Sequence, residues 1–306
     1  MPDYGNDLRF GYFLEPNAAD TAAVLQTARR LDELGYDLIG VQDHPYQRRH
    51  LDAWSLMAVI LGRTERVRVF PDVANLPLRP PAVMAKAAAS LDQLSGGRFE
   101  LGLGGGAFWE AIGAMGGPVR APGEALAALA EGIKIIRGMW SEQRNVRVHG
   151  RHYRVDGVHP GPRPAHQLGI WLGVVRPRAL ALAGRAADGW VPSMGYVPPR
   201  LAAAASARID AAAREAGRDP SAVRRIYNLG GAFTATAPAA ASDDDQAVVG
   251  PADHWVRVLT HLAADLGFDS FILGGPPEPA ALRTFVAEVA PAVRERVAAL
   301  RASRSA

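Results

Sequence analysis

The sequence contains no cysteine, and this absence excludes several kinds of chemistry at once. Disulfide bonds, iron–sulfur clusters, thiolate zinc sites and a cysteine nucleophile are all ruled out. Lysine is almost as scarce, because Lys86 and Lys134 are the only lysines in 306 residues. The basic side chains are therefore mostly arginines, which are scattered and not interleaved with aromatic residues. We expect no nucleic-acid partner for a chain of this kind.

Long apolar runs are also missing. No stretch reaches the roughly 18 apolar residues that a membrane span needs, and the first ten residues, MPDYGNDLRF, lack the features of a secretion signal. We therefore expect a cytoplasmic protein without membrane association. The histidines show no metal-ligand spacing, so no metal site is expected. There is also no Gly-x-Ser-x-Gly nucleophile elbow.

The sequence does contain a regular alternation of short apolar runs and amphipathic helical patterns. Eight runs are predicted as strands: Leu8–Leu14, Leu38–Gln42, Val67–Val73, Phe99–Leu103, Ile170–Val174, Gly189–Pro192, Arg225–Gly230 and Ser270–Leu273. Helices are predicted at Ala19–Leu34, Pro81–Leu94, Glu124–Trp140, Arg178–Ala187, Pro199–Ala216, Pro251–Leu266 and Pro279–Leu300. Eight strands alternating with helices favour an α/β fold closed into a (β/α)8 TIM barrel. A doubly wound open sheet is the competing interpretation.

No change in composition marks a domain boundary, so we expect a single domain spanning residues 1–306. Two segments interrupt the alternation and are predicted as insertions. Residues 145–164 alternate apolar and polar residues around His149-Gly150, which predicts a hairpin. Residues 234–248 are rich in alanine and aspartate, which predicts a surface loop.

The most informative segment is ASLDQLSGGRFELGLGGGAFW, residues 89–109. It reads as the end of a helix, a turn, and a strand that stops on Gly104, Gly105 and Gly106. Glycine lets a ligand approach the backbone without a Cβ in the way. Because α/β folds bind cofactors just beyond the C-terminal ends of their strands, this run predicts a cofactor site. The alternative is that the glycines only end the strand.

Several other predicted strand ends carry polar or small residues. These ends are Glu15, Asp43-His44, Asp72 to Asn75, and Gly173 to Arg176. His44 can exchange a proton near neutral pH, because imidazole titrates there. The plainer alternative is that Asp43 caps a helix and that His44 lies on the surface. Glu15 either faces a substrate or is a solvated acid.

In this order, the strand ends resemble those of the bacterial luciferase-like superfamily of flavin- and deazaflavin-dependent oxidoreductases. The matching segments are LDELGYDLIGVQDHPY (31–46), ANLPLRPPAVMAKAAASLDQLSGGRFELGLGGGAFWEAIGAMGG (74–117), IWLGVVRPRALALAGRAADGWVPS (170–193) and LGFDSFILGG (266–275). The resemblance implies a (β/α)8 barrel with insertions, a flavin or coenzyme F420 in the barrel mouth, and a homodimer.

The resemblance also implies roles for individual residues. His44 would lie beside the cofactor ring, and Asp43 would pair with an arginine or orient the ring. A bulge over Asp72, Val73 and Ala74, with a cis peptide bond at Asp72–Val73, would press on the ring. Asn75 would contact the pyrimidine-like end of the ring. Gly173, Val174, Val175 and Arg176 occupy the position of a cofactor-phosphate turn.

The chain departs from the family pattern at two places. A carboxylate that acts as proton donor in the sugar-phosphate-oxidising members falls at Ala107, which argues against a sugar phosphate as substrate. The glycines of the phosphate turn are replaced by Val175 and Arg176. Arg176 and the amides of the following helix can still bind phosphate, although the replacement can equally weaken cofactor binding.

We therefore predict a coenzyme F420-dependent oxidoreductase that acts on a small organic substrate, with His44 and Glu15 as candidate catalytic residues. The first alternative is an FMN-dependent monooxygenase, which would use oxygen and a partner flavin reductase. Asp-His after the second strand favours the deazaflavin, because the monooxygenases more often carry Glu-His there. The second alternative is a catalytically silent flavin-binding barrel.

Overall fold

A closed barrel of parallel strands is the main feature of the computed structural model, which describes residues 3–236 and 247–305. The strands are β1 (Arg9–Leu14), β2 (Leu38–Val41), β3 (Arg68–Pro71), β4 (Ala74–Asn75), β5 (Leu101–Gly104), β6 (Val146–His149), β7 (Arg154–Val158), β8 (Ile170–Leu172), β9 (Gly189–Trp190), β10 (Arg224–Phe233), β11 (Ala247–Gly250) and β12 (Ser270–Gly274). The barrel strands follow the order β3-β2-β1-β12-β10-β9-β8-β5-β4, and a parallel bridge from Val69 to Phe99 closes the ring. The predicted TIM barrel is confirmed, and the open sheet is wrong.

Helices cover the outside of the barrel. They are α1 (Thr21–Leu34), α2 (Ala53–Leu61), α3 (Pro81–Ser95), α4 (Trp109–Ala114), α5 (Pro122–Met139), α6 (Pro177–Ala186), α7 (Pro199–Glu215), α8 (Ala252–Ala264), α9 (Pro279–Thr284) and α10 (Ala290–Ser305), with 3₁₀ turns at Leu76–Leu78 and Pro220–Ala222. In α1, the carboxylate of Asp20 accepts the N–H of Ala23, and Gly35 ends the helix in the left-handed region at φ 88°. Sequence reasoning missed α2 and α4. It also predicted one helix where a π-helical turn, Phe285–Val289, joins α9 to α10.

The third predicted strand, Val67–Val73, is interrupted before its end. β3 stops at Pro71, the bond between Asp72 and Val73 is cis, and β4 begins at Ala74. β3 pairs with β2, whereas β4 pairs with β5. The chain on the two sides of the interruption thus pairs with β2 through β3 and with β5 through β4, and Val69 of β3 also bridges to Phe99.

The inside of the barrel is filled by the chain's own side chains. One buried cluster consists of Leu38, Phe70, Trp171, Val191, Ile226 and Ile272. Phe70 and Trp171 meet edge to face, with ring centroids 5.0 Å apart. Phe13 and Val73 pack on this cluster and remain partly accessible. A ligand at the C-terminal end must therefore lie on top of Phe13 and Val73, because the interior below them is packed.

Both predicted insertions fall next to described secondary structure. β6 and β7 form an antiparallel hairpin outside the barrel, within the segment 145–164 where the alternating pattern predicted one. In the segment 234–248, residues 237–246 lie outside the described residues. Residues 247 and 248 are not loop, because they begin β11, which pairs in parallel with β10.

An ion cluster at the N-terminal ends of the barrel strands holds the segment that leads from the hairpin back to the barrel. The Nδ1 atom of His166 lies 2.8 Å from Asp92 Oδ1, and its Nε2 atom lies 3.2 Å from Glu100 Oε1. Hydrogen bonds to these two carboxylates raise the pKa of His166 to about 9. The protonated imidazole therefore ties the segment before β8 to the end of α3 and the start of β5.

Candidate active site

The C-terminal ends of the barrel strands surround a shallow open mouth. Its floor is made by Phe13 and Val73, and its rim includes the partly accessible residues His44, Gly173 and Asn228. Parallel strands in a barrel all point the same way. Phe13, His44, Val73 and Gly173 therefore meet here near the ends of four different strands, and Asn228 joins them from within β10. The mouth therefore brings together side chains that lie far apart in the sequence.

His44 stands at the rim, three residues after β2 ends. Its ring stacks on Tyr46 with centroids 5.2 Å apart, and it meets the edge of Phe108 at 5.3 Å. Burial lowers the pKa of the imidazole, and the nearby His50 lowers it further. The imidazole is therefore neutral at pH 7 and able to accept a proton.

Asp43 precedes His44 but lies below the mouth, and its side chain is buried. Its Oδ2 atom accepts the backbone N–H of Asn75 at 3.0 Å and the indole N–H of Trp54 at 3.3 Å. Burial raises the pKa of this carboxyl group. Asp43 thus fastens the loop that carries His44 to Asn75, at the end of the bulged segment.

A second buried carboxyl group lies at the bulge itself. Asp72 Oδ1 accepts a hydrogen bond from Asn228 Nδ2 at 3.0 Å, and burial raises the pKa of Asp72 to about 7. The other oxygen of Asp72 has no hydrogen-bond partner in the described part of the chain, and the same holds for Asn75 Oδ1 and Asn228 Oδ1. Unpartnered buried oxygens are uncommon in folded proteins, and here they gather beneath one end of the barrel.

The glycines around the bulge have a packing explanation. A Cβ on Gly104 would lie 2.8 Å from Val73 Cγ2, and a Cβ on Gly173 would lie 2.9 Å from the same methyl group. Gly106 has φ 98°, and a Cβ there would meet Trp109 and Pro77. A Cβ on Gly105 would make only ordinary contacts. Gly104 and Gly173 therefore make room for Val73, which the sequence interpretation did not foresee.

Ala74, the remaining residue of the predicted bulge, contributes to the barrel through the strand pairing of its backbone. It is fully buried and pairs with Leu103 across β4 and β5.

The phosphate-turn candidate leads directly into α6. Val174 is buried, whereas Val175 and Arg176 are exposed, and Pro177 is the first helical residue. Arg176 has φ −85° and ψ 147°, an ordinary extended conformation, so the loop accepts arginine in place of glycine without backbone strain. The first-turn amides of a helix have no intrahelical acceptor, and Arg176 stands beside them.

Glu15 lies on the wall of a cavity of about 570 Å³ next to the mouth. Phe13, Asn17, Gln42 and Arg49 share this cavity. The carboxylate of Glu15 is about half exposed and lies 3.4 Å from the Nε atom of Arg49. Glu15 is therefore accessible to a ligand, but it already faces a positive charge.

Three residues of the mouth were missed from the sequence. Tyr46 supports the ring of His44, His50 influences its protonation, and Asn228 binds Asp72. A signal existed for Asn228, because it lies two residues after the inward-facing Ile226 and a strand repeats every two residues. No local pattern indicated His50, whose position depends on contacts between two loops.

The barrel is closed and parallel, and its mouth presents a neutral histidine beside a bulged third strand. These features place the protein in the class of (β/α)8 barrels with an enzyme-like site. A sequence model of the luciferase-like monooxygenase family matches residues 8–272. The chain belongs to this family, and the family resemblance stated from the sequence is confirmed.

Curated relatives carry names that refer to coenzyme F420. The chain is 31% identical over 194 residues to an F420-dependent glucose-6-phosphate dehydrogenase of Amycolatopsis mediterranei, a match that covers 61% of this chain and 58% of the relative. An enzyme of the same name from Gordonia bronchialis is 28% identical over 232 residues, covering 73% and 68% of the two chains. The chain thus matches somewhat more than half the length of the first of these relatives.

Solved structures share the fold. An F420-dependent secondary alcohol dehydrogenase, solved with an F420–acetone adduct, aligns with a TM-score of 0.83 at 20% identity and covers 94% of this chain and 99% of the other. A coenzyme F420-dependent tetrahydromethanopterin reductase from Methanopyrus kandleri aligns with a TM-score of 0.80 at 17% identity, with the same coverage. At these identities the likeness shows the barrel fold.

Two kinds of feature are absent from the described residues. No helix in residues 3–236 and 247–305 is long and apolar enough to cross a membrane. Within the same ranges, no three or more His, Asp or Glu side chains are grouped so that they could hold a metal ion.

Proposed function

We propose that this protein is a coenzyme F420-dependent oxidoreductase that transfers a hydride between the deazaflavin and a small organic substrate. The observation that carries the proposal is His44, a neutral imidazole held at the rim of an open barrel mouth. The names of the curated relatives support the same cofactor.

The residues of the mouth fit a planar ring with a phosphate-bearing tail. Phe13 and Val73 offer an accessible apolar floor, and the oxygens of Asp72, Asn75 and Asn228 lack protein partners just beneath the mouth. On this proposal Val73, Ala74, Asn75 and the backbone of Gly104 to Gly106 would face the ring. Gly173 to Arg176 and the start of α6 would hold the phosphate, since a helix N-terminus and a guanidinium group both favour anions.

When bound, the deazaflavin supplies the hydride acceptor or donor, and the chain's residues supply proton transfer and orientation. The neutral imidazole of His44 accepts the hydroxyl proton when an alcohol is oxidised, and it returns the proton in the reverse direction. Tyr46 and Phe108 fix the plane of the His44 ring. Asp43 is buried and positions this loop. On this proposal Glu15 would face the substrate from the wall of the neighbouring cavity, which it lines.

The substrate is proposed to be a small organic molecule other than a sugar phosphate. Position 107, where sugar-phosphate-oxidising members have a proton-donating carboxylate, is an exposed alanine beside the mouth. The adjacent Phe108 is 49% exposed and packs against His44. An aromatic surface at this place suits an uncharged organic group better than a hydrated sugar phosphate.

Titrating the purified protein with F420 and with FMN, and following the quenching of cofactor fluorescence, tests the choice of cofactor. We expect saturable F420 binding with much weaker FMN binding, and no reduction of bound F420 by glucose 6-phosphate. Tight FMN binding without F420 affinity would reject the proposal, and rapid oxygen consumption with reduced FMN would then indicate the monooxygenase with its reductase partner. Binding of neither cofactor would favour the silent barrel.

We further propose that the protein acts in the cytoplasm as a homodimer, as the family resemblance implies. Size-exclusion chromatography with light scattering tests the dimer, which requires a mass near twice the 32.5 kDa of one chain.

A further inference from the structure

The side chain of His50 is buried, and its two ring nitrogens have no hydrogen-bond partner among the described residues. Its side chain is only 2% exposed, and both nitrogens are closed to solvent. The Oε1 atom of Glu15 lies 3.7 Å from His50 Nε2, which is within ion-pair range but too far for a strong hydrogen bond. Because buried polar groups are normally partnered, this arrangement requires an explanation beyond packing.

Backbone contacts hold His50 opposite the loop that carries Glu15. Asn17 and His50 form an isolated antiparallel bridge. Next to it, the N–H of Leu51 donates to Pro16 O at 2.7 Å, and the N–H of Ala18 donates to Arg49 O at 2.8 Å. The loops after β1 and β2 are thus fastened to each other, and Glu15 faces His50 because of the fold.

The same loop brings His50 back toward His44. The N–H of Gln47 donates to His44 O at 2.9 Å, and the N–H of His50 donates to Gln47 O at 2.9 Å. These two consecutive turns reverse the chain, and the charge of His50 lowers the pKa of His44. The charged groups that face His50 are Glu15, which raises its pKa, and Arg49, which lowers it, while burial lowers it most.

We propose that Glu15 and His50 form a pair that takes up the first proton as the pH falls, and so keeps His44 in its neutral, proton-accepting form. Protonated His50 is stabilised by the carboxylate of Glu15, and its positive charge then opposes a second proton on His44. His50 is a positioning residue, because it acts through His44, and Glu15 has this positioning role in addition to its proposed place beside the substrate. The inference rests on the proposed role of His44 as proton acceptor.

The test is a pH titration of the imidazole resonances by NMR, made on the cofactor-free protein, with His44 assigned by comparison with His44→Gln. The variants are His50→Gln and Glu15→Gln, together with the double variant. Arg48→Gln is the matched control, because it removes a neighbouring exposed charge outside the pair.

We expect His50→Gln to raise the titration midpoint of His44 by about half a pH unit, the size expected for two charges across a hydrated site. Glu15→Gln should raise the His44 midpoint by less. The double variant should raise it no further than His50→Gln alone, and Arg48→Gln should leave it unchanged. An unchanged His44 midpoint in folded His50→Gln would overturn the pair. If His50→Gln does not fold, a His44 midpoint that is unchanged or lower in Glu15→Gln would overturn the pair.

This experiment separates the inference from the proposed function. It needs no cofactor, so the pair stands or falls whether or not F420 binds. The acid limb of the pH profile of kcat/KM should shift to higher pH in the same variants, but only if His44 is the proton acceptor.

Discussion

At the scale of single residues, the proposed site depends on a histidine that remains neutral at pH 7. Burial keeps the proton off His44, and Tyr46 and Phe108 hold its ring at the rim. A general base works best when it is unprotonated and held in a fixed orientation, so these contacts support the proposed role of His44.

Replacing His44 with alanine should lower turnover by about 100-fold, the usual scale for a lost acid–base group. F420 affinity should stay nearly the same, since the floor of the mouth and the start of α6 are untouched. Steady-state kinetics with a fluorescence titration measure both quantities. His149→Ala, in the hairpin outside the barrel, is the control. Unchanged turnover in the His44 variant would remove this residue from the mechanism.

Asp72 makes the stability of the protein depend on pH. Its pKa of about 7 lies above the ordinary 3.8, so the folded protein binds this proton more tightly than the unfolded chain does. The stability contributed by protonated Asp72 is fully present below pH 3.8 and is lost as the pH rises through 7.

Asparagine is isosteric with aspartic acid and does not ionise. The free energy of unfolding of Asp72→Asn, taken relative to that of the natural protein, should therefore rise by about 2 kcal/mol from pH 5 to pH 8. Urea unfolding of both proteins at the two pH values measures this change. Asn228→Ala removes the amide that bonds to Asp72, so that variant should lose more stability between pH 5 and pH 8 than the natural protein does. An equal effect of Asp72→Asn at both pH values would show that Asp72 is ionised in the folded state throughout.

At the scale of elements, the bulge between β3 and β4 explains why glycines follow β5 and β8. One methyl group of Val73 lies between Gly104 and Gly173, and neither position has room for a Cβ. The sequence predicted a glycine-lined cofactor site from Gly104 to Gly106. It could not reveal the packing at Gly104, because Val73 reaches that place only through the pairing of β4 with β5.

Gly104→Ala should destabilise the protein by about 1–3 kcal/mol, the cost of overpacking a filled site. Gly105→Ala is the matched control, with an expected cost of less than about 1 kcal/mol, because the added Cβ would lie no closer than 3.5 Å to its neighbours. Equal costs at the two positions would contradict the packing of Val73 against Gly104. Combining Gly104→Ala with Val73→Ala should recover part of the loss, and urea denaturation measures each variant.

Other elements show what sequence reasoning can and cannot find. α1 was predicted well because Asp20 and Gly35 mark its two ends. α2 was missed because AWSLMAVIL is apolar almost throughout and has no polar face to reveal a helical period. The hairpin at 145–164 was found because its strands alternate inward and outward residues in the expected way.

At the scale of the whole molecule, repeated strand and helix signals were enough to predict a closed parallel barrel. The strand ends also predicted where the candidate site lies, since all of them meet at one face. Contacts between loops were not predictable, because Glu15 and His50 lie 35 positions apart and meet only in the fold. The same limit applies to Asn228, which reaches Asp72 from the other side of the barrel.

The ion cluster around His166, at the N-terminal ends of the barrel strands, gives the stability of the whole protein a second pH dependence. The pKa of His166 is raised to about 9, so its contribution to stability is fully present below pH 6.5 and is lost as the pH rises through 9. His166→Gln should therefore destabilise the protein at pH 6 and have little effect at pH 10. Thermal unfolding at both pH values checks this, and His152→Gln in the hairpin turn is the control. An equal loss at both pH values would mean that the imidazole acts without its charge.

The central claim is that the mouth of the barrel receives the ring of coenzyme F420, and a crystal structure of the protein with F420 tests it most directly. We predict the ring on the floor made by Phe13 and Val73, with its edge in contact with His44 and its phosphate at Arg176 and the start of α6. F420 bound elsewhere on the molecule, with His44 and Val73 free of it, would contradict the account.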